Sequence, residues 1–353
     1  MRMNPADPRA PYYLGNFWYA HRRYAEAIAC WERARTLDDH FATVHRNLGL
    51  AYYNKRNDPQ RALRSFETAF ELNPGDARVL FELDQLYKKL NRPPAERLAR
   101  LEQYAGLVEQ RDDLAIERVT LLNLLGRPED ASQLLAGRTF HPWEGGEGKV
   151  TGQYVVSLVE LARRSTDQGD YVGAIARLEQ AQVYPHNLGE GKLYGAQENN
   201  IFYELGRAYA GLGETERVRA AFMRAAAGLS EPTSPMYYND QPPDMIFYQG
   251  LARRQLGRAA EAQAIFEKLV DYGQTHLNDE IAMDYFAVSL PDFLVFDEDL
   301  SRRNRIHCHY MQALGYTGLG ERAAAEQHYA EALRLDASHL GATLHRRMLH
   351  EPS

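Results

Sequence analysis

The stretch 42–76, ATVHRNLGLAYYNKRNDPQRALRSFETAFELNPGD, decides the fold. Leu48-Gly49 is followed by Tyr52, then by Ala62, Phe66, Ala69 and Pro74. Two antiparallel helices approach closely only where small residues face each other, here Gly49, Ala62 and Ala69, and Tyr52 and Phe66 fill the space left over. The pattern recurs on both sides. Upstream it reads Leu14-Gly15, Trp18, Ala27, Trp31, Ala34. Downstream it reads Leu205-Gly206, Tyr209, Phe222, Ala225, then Gly250, Gly257, Ala262, Phe266, then Ala313, Tyr316, Gly320, Ala325, Tyr329, Ala332. Each copy is a helix-turn-helix unit of about 34 residues. One such pair cannot bury its apolar face alone, so neighbours must stack.

The spacing predicts units at 8–41, 42–76, 77–111, 112–138, 155–188, 199–232, 243–276 and 306–339, with a short closing helix at 340–349. The third and fourth are degenerate but keep apolar stripes, Leu98, Leu101, Ala105, Val108 and Leu121, Leu122, Leu125. The pattern resembles the tetratricopeptide repeat. That resemblance implies an all-α fold, a right-handed solenoid of about eight repeats forming one domain over residues 1–353. Residues 1–138 read as near-tandem repeats, 139–339 as repeats with inserted loops, and 340–353 as closing helix and tail.

Composition narrows the function classes. The chain has 353 residues, 44% hydrophobic and 25% charged, which is ordinary for a globular protein. A net charge of −7 argues against a nucleic-acid binder. No apolar run reaches the roughly 18 residues of a membrane span, and no signal-peptide core opens the chain. Two cysteines, Cys30 and Cys308, give no disulfide framework, so a reducing cytoplasm is the expected compartment. Tyrosine is abundant, with 22 residues.

The inserts 139–154, 189–198, 233–242 and 277–305 all fall between one helix pair and the next, which in a solenoid lie along one edge. The first contains His141-Pro142-Trp143-Glu144-Gly145-Gly146-Glu147-Gly148-Lys149 and the second Asn187-Leu188-Gly189-Glu190-Gly191-Lys192-Leu193-Tyr194. The third holds Tyr237-Tyr238, and the fourth runs from Asp284-Tyr285 through Phe293-Leu294-Val295-Phe296-Asp297-Glu298-Asp299. Loops this long, rich in aromatics and acids, are functional or packed. The repeated G-E-G-K lacks the first glycine and the Ser/Thr of a phosphate-binding loop, so its glycines serve turn geometry and its glutamates helix capping. His307, Cys308 and His309 are successive on a helix and cannot converge on a metal. The acids Asp284, Asp292, Asp297, Glu298 and Asp299 would need a fixed pair separation to hydrolyse a glycoside, and sequence supplies none.

These inserts, with Arg303-Asn304-Arg305-Ile306-His307-Cys308, resemble the C-terminal repeat region of an uncharacterised bacterial family that carries an upstream galactose-mutarotase-like β-sandwich domain. The resemblance implies a link to carbohydrate metabolism. Met1 opens almost directly onto the first repeat, so the chain reads as a stand-alone version of that region or as a fragment.

The expected function is a non-catalytic scaffold holding a protein partner or a companion carbohydrate-processing domain; the alternative is a glycan-binding or glycan-processing unit. No cofactor, metal, nucleic acid or membrane is expected as a partner. Candidate binding residues on the inserts are Trp143, Glu144, Tyr194, Tyr237, Tyr238, Asp284 and Tyr285. Candidates on the inner face of the solenoid are Arg46, Asn54, Asn200, Tyr203, Arg207 and His307. Inner-face neighbours such as Asn123, Arg163 and Tyr310 are expected to be open to solvent with them.

Overall fold

A computed structural model of the chain describes residues 6–234, 241–281 and 295–350. Among them every regular element is helical. The first two pairs are α1 (Arg9–Ala20) with α2 (Tyr24–Leu37) and α3 (Ala42–Arg56) with α4 (Pro59–Leu72). The degenerate third and fourth units are α5 (Ala77–Lys89), α6 (Pro94–Gln103) and α7 (Ala105–Val108), then α8 (Asp112–Leu124) with α9 (Pro128–Ala136). The pairs α10 (Lys149–Asp167) with α11 (Tyr171–Ala181), α12 (Asn199–Gly211) with α13 (Thr215–Ala225) and α14 (Pro243–Gln255) with α15 (Ala259–His276) follow. The last pair is α16 (Leu300–Leu319) with α17 (Arg322–Leu335), and α18 (Leu340–His350) closes the described chain. Among the described residues no helix is long and apolar enough to cross a membrane.

The chain forms two compact units, Met1–Arg92 with Ala99–Leu114 and Val288–Glu298, and Pro93–Leu98 with Ala115–Ala287 and Asp299–Ser353. In both, the small-to-aromatic spacing is the packing contact. A Cβ added at Gly49 would lie 2.6 Å from the Phe66 ring, and one at Gly206 2.5 Å from Phe222. Gly15 meets Trp31 and Gly250 meets Phe266 in the same way. Only a residue without a side chain lets the paired helix bring its aromatic this close. In the second unit, Ile246, Phe247, Phe266, Leu269, Met311, Leu314 and Tyr329 form one buried cluster.

The starts of α4, α5, α11 and α16 are each capped by an aspartate. The Asp58 carboxylate accepts from Arg61 N (3.0 Å) ahead of Pro59, and Asp76 accepts from Arg78 N (3.0 Å) and Val79 N (3.1 Å). Two boundaries differ from the spacing-based ones. Helix α10 starts at Lys149, not 155, directly after Gly148 in the left-handed conformation (φ 71°). Helix α16 starts at Leu300, not 306, because Asp299 caps it by accepting from Arg302 N (2.9 Å).

Candidate binding grooves

In the first unit α3 presents Tyr53, Asn54 and Lys55 to a piece of the fourth insert. The Asn54 amide donates to Val295 O (3.0 Å) and its Oδ1 accepts from Asp297 N (2.9 Å). The residue between them, Phe296, is 2% exposed. Its ring packs edge-on to Tyr53 (4.9 Å between centroids) and Phe66 (5.6 Å). Lys55 Nζ lies 3.2 Å from Asp297 Oδ2, and Lys89 Nζ 3.7 Å from Glu298 Oε1. Burial alone would lower the Lys55 ammonium, but the hydrogen bond and charge of Asp297 outweigh it and hold it above its ordinary value. Nearby, Arg46 is committed to the buried Glu82 (Nε to Oε2 2.6 Å), which also accepts from Arg78 (2.9 Å). A buried carboxylate needs such partners, so Arg46 first serves the α3–α5 contact.

In the second unit three inserts interlock. Asn187 donates to Leu135 O and Arg138 O (both 2.8 Å), and its own carbonyl accepts from Phe140 N (2.7 Å). The Glu190 carboxylate takes Gly148 N (3.1 Å to each oxygen) and Thr151 Oγ1 (3.2 Å), so the second G-E-G-K supplies the cap of the helix that the first one opens. Gly189 is left-handed (φ 77°), and a Cβ there would meet Phe140 O at 2.6 Å. Trp143 folds back over Gly146, whose Cβ position lies inside the indole contact distance. The second insert reaches the third through paired amides of Gln197 and Gln241 (2.7 Å). The His307 ring joins it through Nε2 to Thr233 O (2.8 Å).

The inner face of the second unit is covered by α18. His345 Nδ1 lies 3.0 Å from Tyr310 OH, and its ring meets Phe247 and Tyr248 at 5.7 Å. Tyr248 OH contacts Met348 Sδ (3.8 Å), and Arg347 donates to Leu124 O, a residue 223 positions earlier. Burial pushes His345 down to about 4 and the phenols of Tyr248 and Tyr310 well above their ordinary value. Burial also raises Asp244, to about 6. The Glu204 carboxyl is fully buried, 2.8 Å from Arg207 and 3.5 Å from Arg163; burial raises it although both cations pull the other way.

The openness expected for the inner face is therefore corrected at three positions. Tyr310 is 4%, Asn123 1% and Arg163 5% exposed. Tyr310 lies beneath α18, Asn123 is hydrogen-bonded to Gln153 (2.9 Å) and Ser157 (3.0 Å) on α10, and Arg163 serves Glu160 and Glu204. Of the other candidates, Tyr203 is half-buried between Phe222 and Tyr248, and Arg207 bridges Glu204 and Asp167. The Asn200 side chain accepts from Ile201 N (2.8 Å). Glu144 and Tyr194 are exposed, Tyr194 completely. Tyr237, Tyr238, Asp284 and Tyr285 lie outside the described residues, as does Asp292. Of the other acids weighed as a glycosidase pair, Asp297 and Glu298 face lysines and Asp299 caps α16.

Sequence reasoning missed Phe296, Lys55, Lys89 and His345, and it gave Glu190 a capping role on the next helix whereas Glu190 caps α10. A phenylalanine followed by acids in an insert, with lysines on two inner helices, was the available signal for the first three. Nothing local marks His345, whose partner Tyr310 is 35 residues away, or tells which helix Glu190 caps, since its partners are 39 to 42 residues away.

Residues 15–56, from within α1 through α3, match the family model described as TPR repeat. Among solved structures the chain is similar to YrrB, a TPR protein with an unusual peptide-binding site: 16% identity, 63% of this chain, 86% of that one, TM-score 0.34. It is similar to a tetratricopeptide repeat protein from Parabacteroides merdae at 14% identity, over 74% of this chain and 91% of that one, TM-score 0.38. A third likeness is to the Naa15/Naa10 structure bound to HypK-THB: 13% identity, 95% of this chain, 59% of that chain, TM-score 0.41.

Proposed function

We propose that this chain is a non-catalytic scaffold that holds a protein partner in extended form on the inner faces of its helix pairs. One observation carries the reading: Asn54 uses both ends of its amide on the main chain of Val295 and Asp297. Main-chain recognition of this kind is indifferent to most side chains and suits polypeptide ligands. The resemblance of the inserts to the mutarotase-linked bacterial family extends the proposal to a companion carbohydrate-processing domain as partner. The insert edge is the second candidate surface, since Tyr194 offers a whole ring to solvent. On it Trp143, Glu144 and Tyr194 would contact a partner domain or, in the alternative reading, a glycan.

The test is co-purification with the full chain followed by remixing of the purified components. A partner whose binding falls at least about tenfold with Asn54→Ala or Tyr194→Ala supports the proposal. Turnover in a glycoside hydrolysis screen, or a glycan-array signal abolished by Trp143→Ala with no protein partner bound, overturns it.

A further inference from the structure

We propose that the inner face of α3 and α5 recognises an extended acidic peptide with a phenylalanine anchor, and that Val295–Glu298 fills it as an exchangeable internal ligand. The proposal deepens the scaffold reading and rests on it. Three layers of recognition are present. Asn54 fixes the strand through Val295 O and Asp297 N, two main-chain groups that flank one residue. That residue's side chain, Phe296, is sunk against Tyr53 and Phe66. The next two positions are acids set against Lys55 and Lys89. A groove carrying lysines on two helices selects Phe-Asp-Glu over a basic continuation, because like charges there would be repelled.

The internal segment is a poor ligand by itself. Among the described residues its contacts include one buried ring, main-chain hydrogen bonds to Asn54 and ion pairs whose acids are 61% and 29% exposed. Exposed pairs of this kind add little affinity. Attachment to the same chain compensates, since a tethered segment sits at an effective concentration on the order of millimolar. A partner peptide with the same pattern and further contacts beyond it displaces the segment, while weaker ligands are excluded. The site thus screens by competition.

The probe is a fluorescein-labelled peptide of residues 295–300, Val-Phe-Asp-Glu-Asp-Leu, titrated into the full chain and read by anisotropy. Removing the internal competitor with Phe296→Ala should tighten peptide binding at least about tenfold over wild type. Asp297→Lys, a change at an exposed side chain, should act in the same direction and keeps the test decisive if Phe296→Ala misfolds by circular dichroism. Adding Asn54→Ala to either variant should abolish binding. Equal affinity for wild type and both releasing variants overturns the proposal, as does binding untouched by Asn54→Ala. A concentration-dependent dimer of the wild-type chain, lost in Phe296→Ala, would place the segment in a second copy and overturn the internal occupant. If the peptide fails while a natural partner is still lost with Asn54→Ala, this inference falls and the scaffold reading stands; if no partner binds at all, both fall.

Discussion

At Gly49 a single hydrogen matters. A methyl group there would stand 2.6 Å from the Phe66 ring, which is itself fully buried and cannot retreat. The helix-propensity gain of alanine, up to about 1 kcal/mol, is smaller than the overpacking cost of about 1–3 kcal/mol. Gly49→Ala should therefore destabilise, by up to about 2 kcal/mol in denaturant unfolding. Gly152 is the control: it lies within α10 with nothing within 4 Å of its Cβ position, so Gly152→Ala should stabilise by up to about 1 kcal/mol. A Gly49→Ala protein as stable as wild type would refute the packing account. At this scale the sequence was most readable. The pairs Gly15 with Trp31, Gly49 with Phe66, Gly206 with Phe222 and Gly250 with Phe266 stand out by spacing alone, because the contact lies within one helix pair. Phe296 was unreadable by the same logic, since its partners are more than 200 positions away.

Among elements, α10 shows how a long insert can serve the scaffold. Its first turn has no cap from its own neighbourhood, and Glu190 supplies one to Gly148 N and Thr151 from 39 to 42 residues further on. A carboxylate at a helix N-terminus also favours the helix dipole. Glu190→Ala should cost about 1 kcal/mol. Local hydrogen exchange in the first turn of α10 should rise, with the last turn unaffected; unchanged protection there would refute the cap. The glycines of the two G-E-G-K stretches could be assigned to turns from sequence, but which glutamate capped which helix depended on how neighbouring inserts meet. Helix α18 was legible as a helix through Leu340, Leu344 and Met348, yet amphipathicity says only that one face is buried, not against what. The starts of α10 and α16 were missed because repeat spacing places packing residues, whereas helices run on to the nearest available cap.

For the molecule as a whole, the docking of α18 makes the stability of the second unit depend on pH. His345 titrates at about 4 in the folded protein, below its ordinary value of 6.5, because burial disfavours the imidazolium. Tyr310, Tyr248, His339 and Arg163 surround it and none supplies a negative charge near neutrality. Its stability contribution is complete above about pH 6.5 and is lost as pH falls toward 4. Asp244 works in the opposite sense: raised from 3.8 to about 6, it loses stability as pH climbs through that window. The two offset each other in the wild-type protein. In an Asp244→Asn background the fall from pH 6.5 to 4 should deepen. Comparing Asp244→Asn with Asp244→Asn/His345→Gln isolates the histidine, expected at about 2–3 kcal/mol across the window. Superimposable pH–stability curves for the two would show that His345 does not titrate under α18. The all-helical stack was legible from periodicity because repeats carry their own contacts. The filled inner faces were not, because their occupants come from distant parts of the chain.

The distance between Asn54 and its main-chain partners also sets an order of events during synthesis. Val295 follows Asn54 by 241 residues. At about 5–20 residues per second the ribosome needs roughly 10–50 s to make that stretch. Helix pairs α1–α2 and α3–α4 contact near neighbours in sequence, so their contacts can form within that interval. Under the proposed reading, each newly made molecule therefore exposes the α3 face before it owns the segment that fills it, so a partner present at the translating ribosome would meet that face without the competitor it must displace in the finished protein.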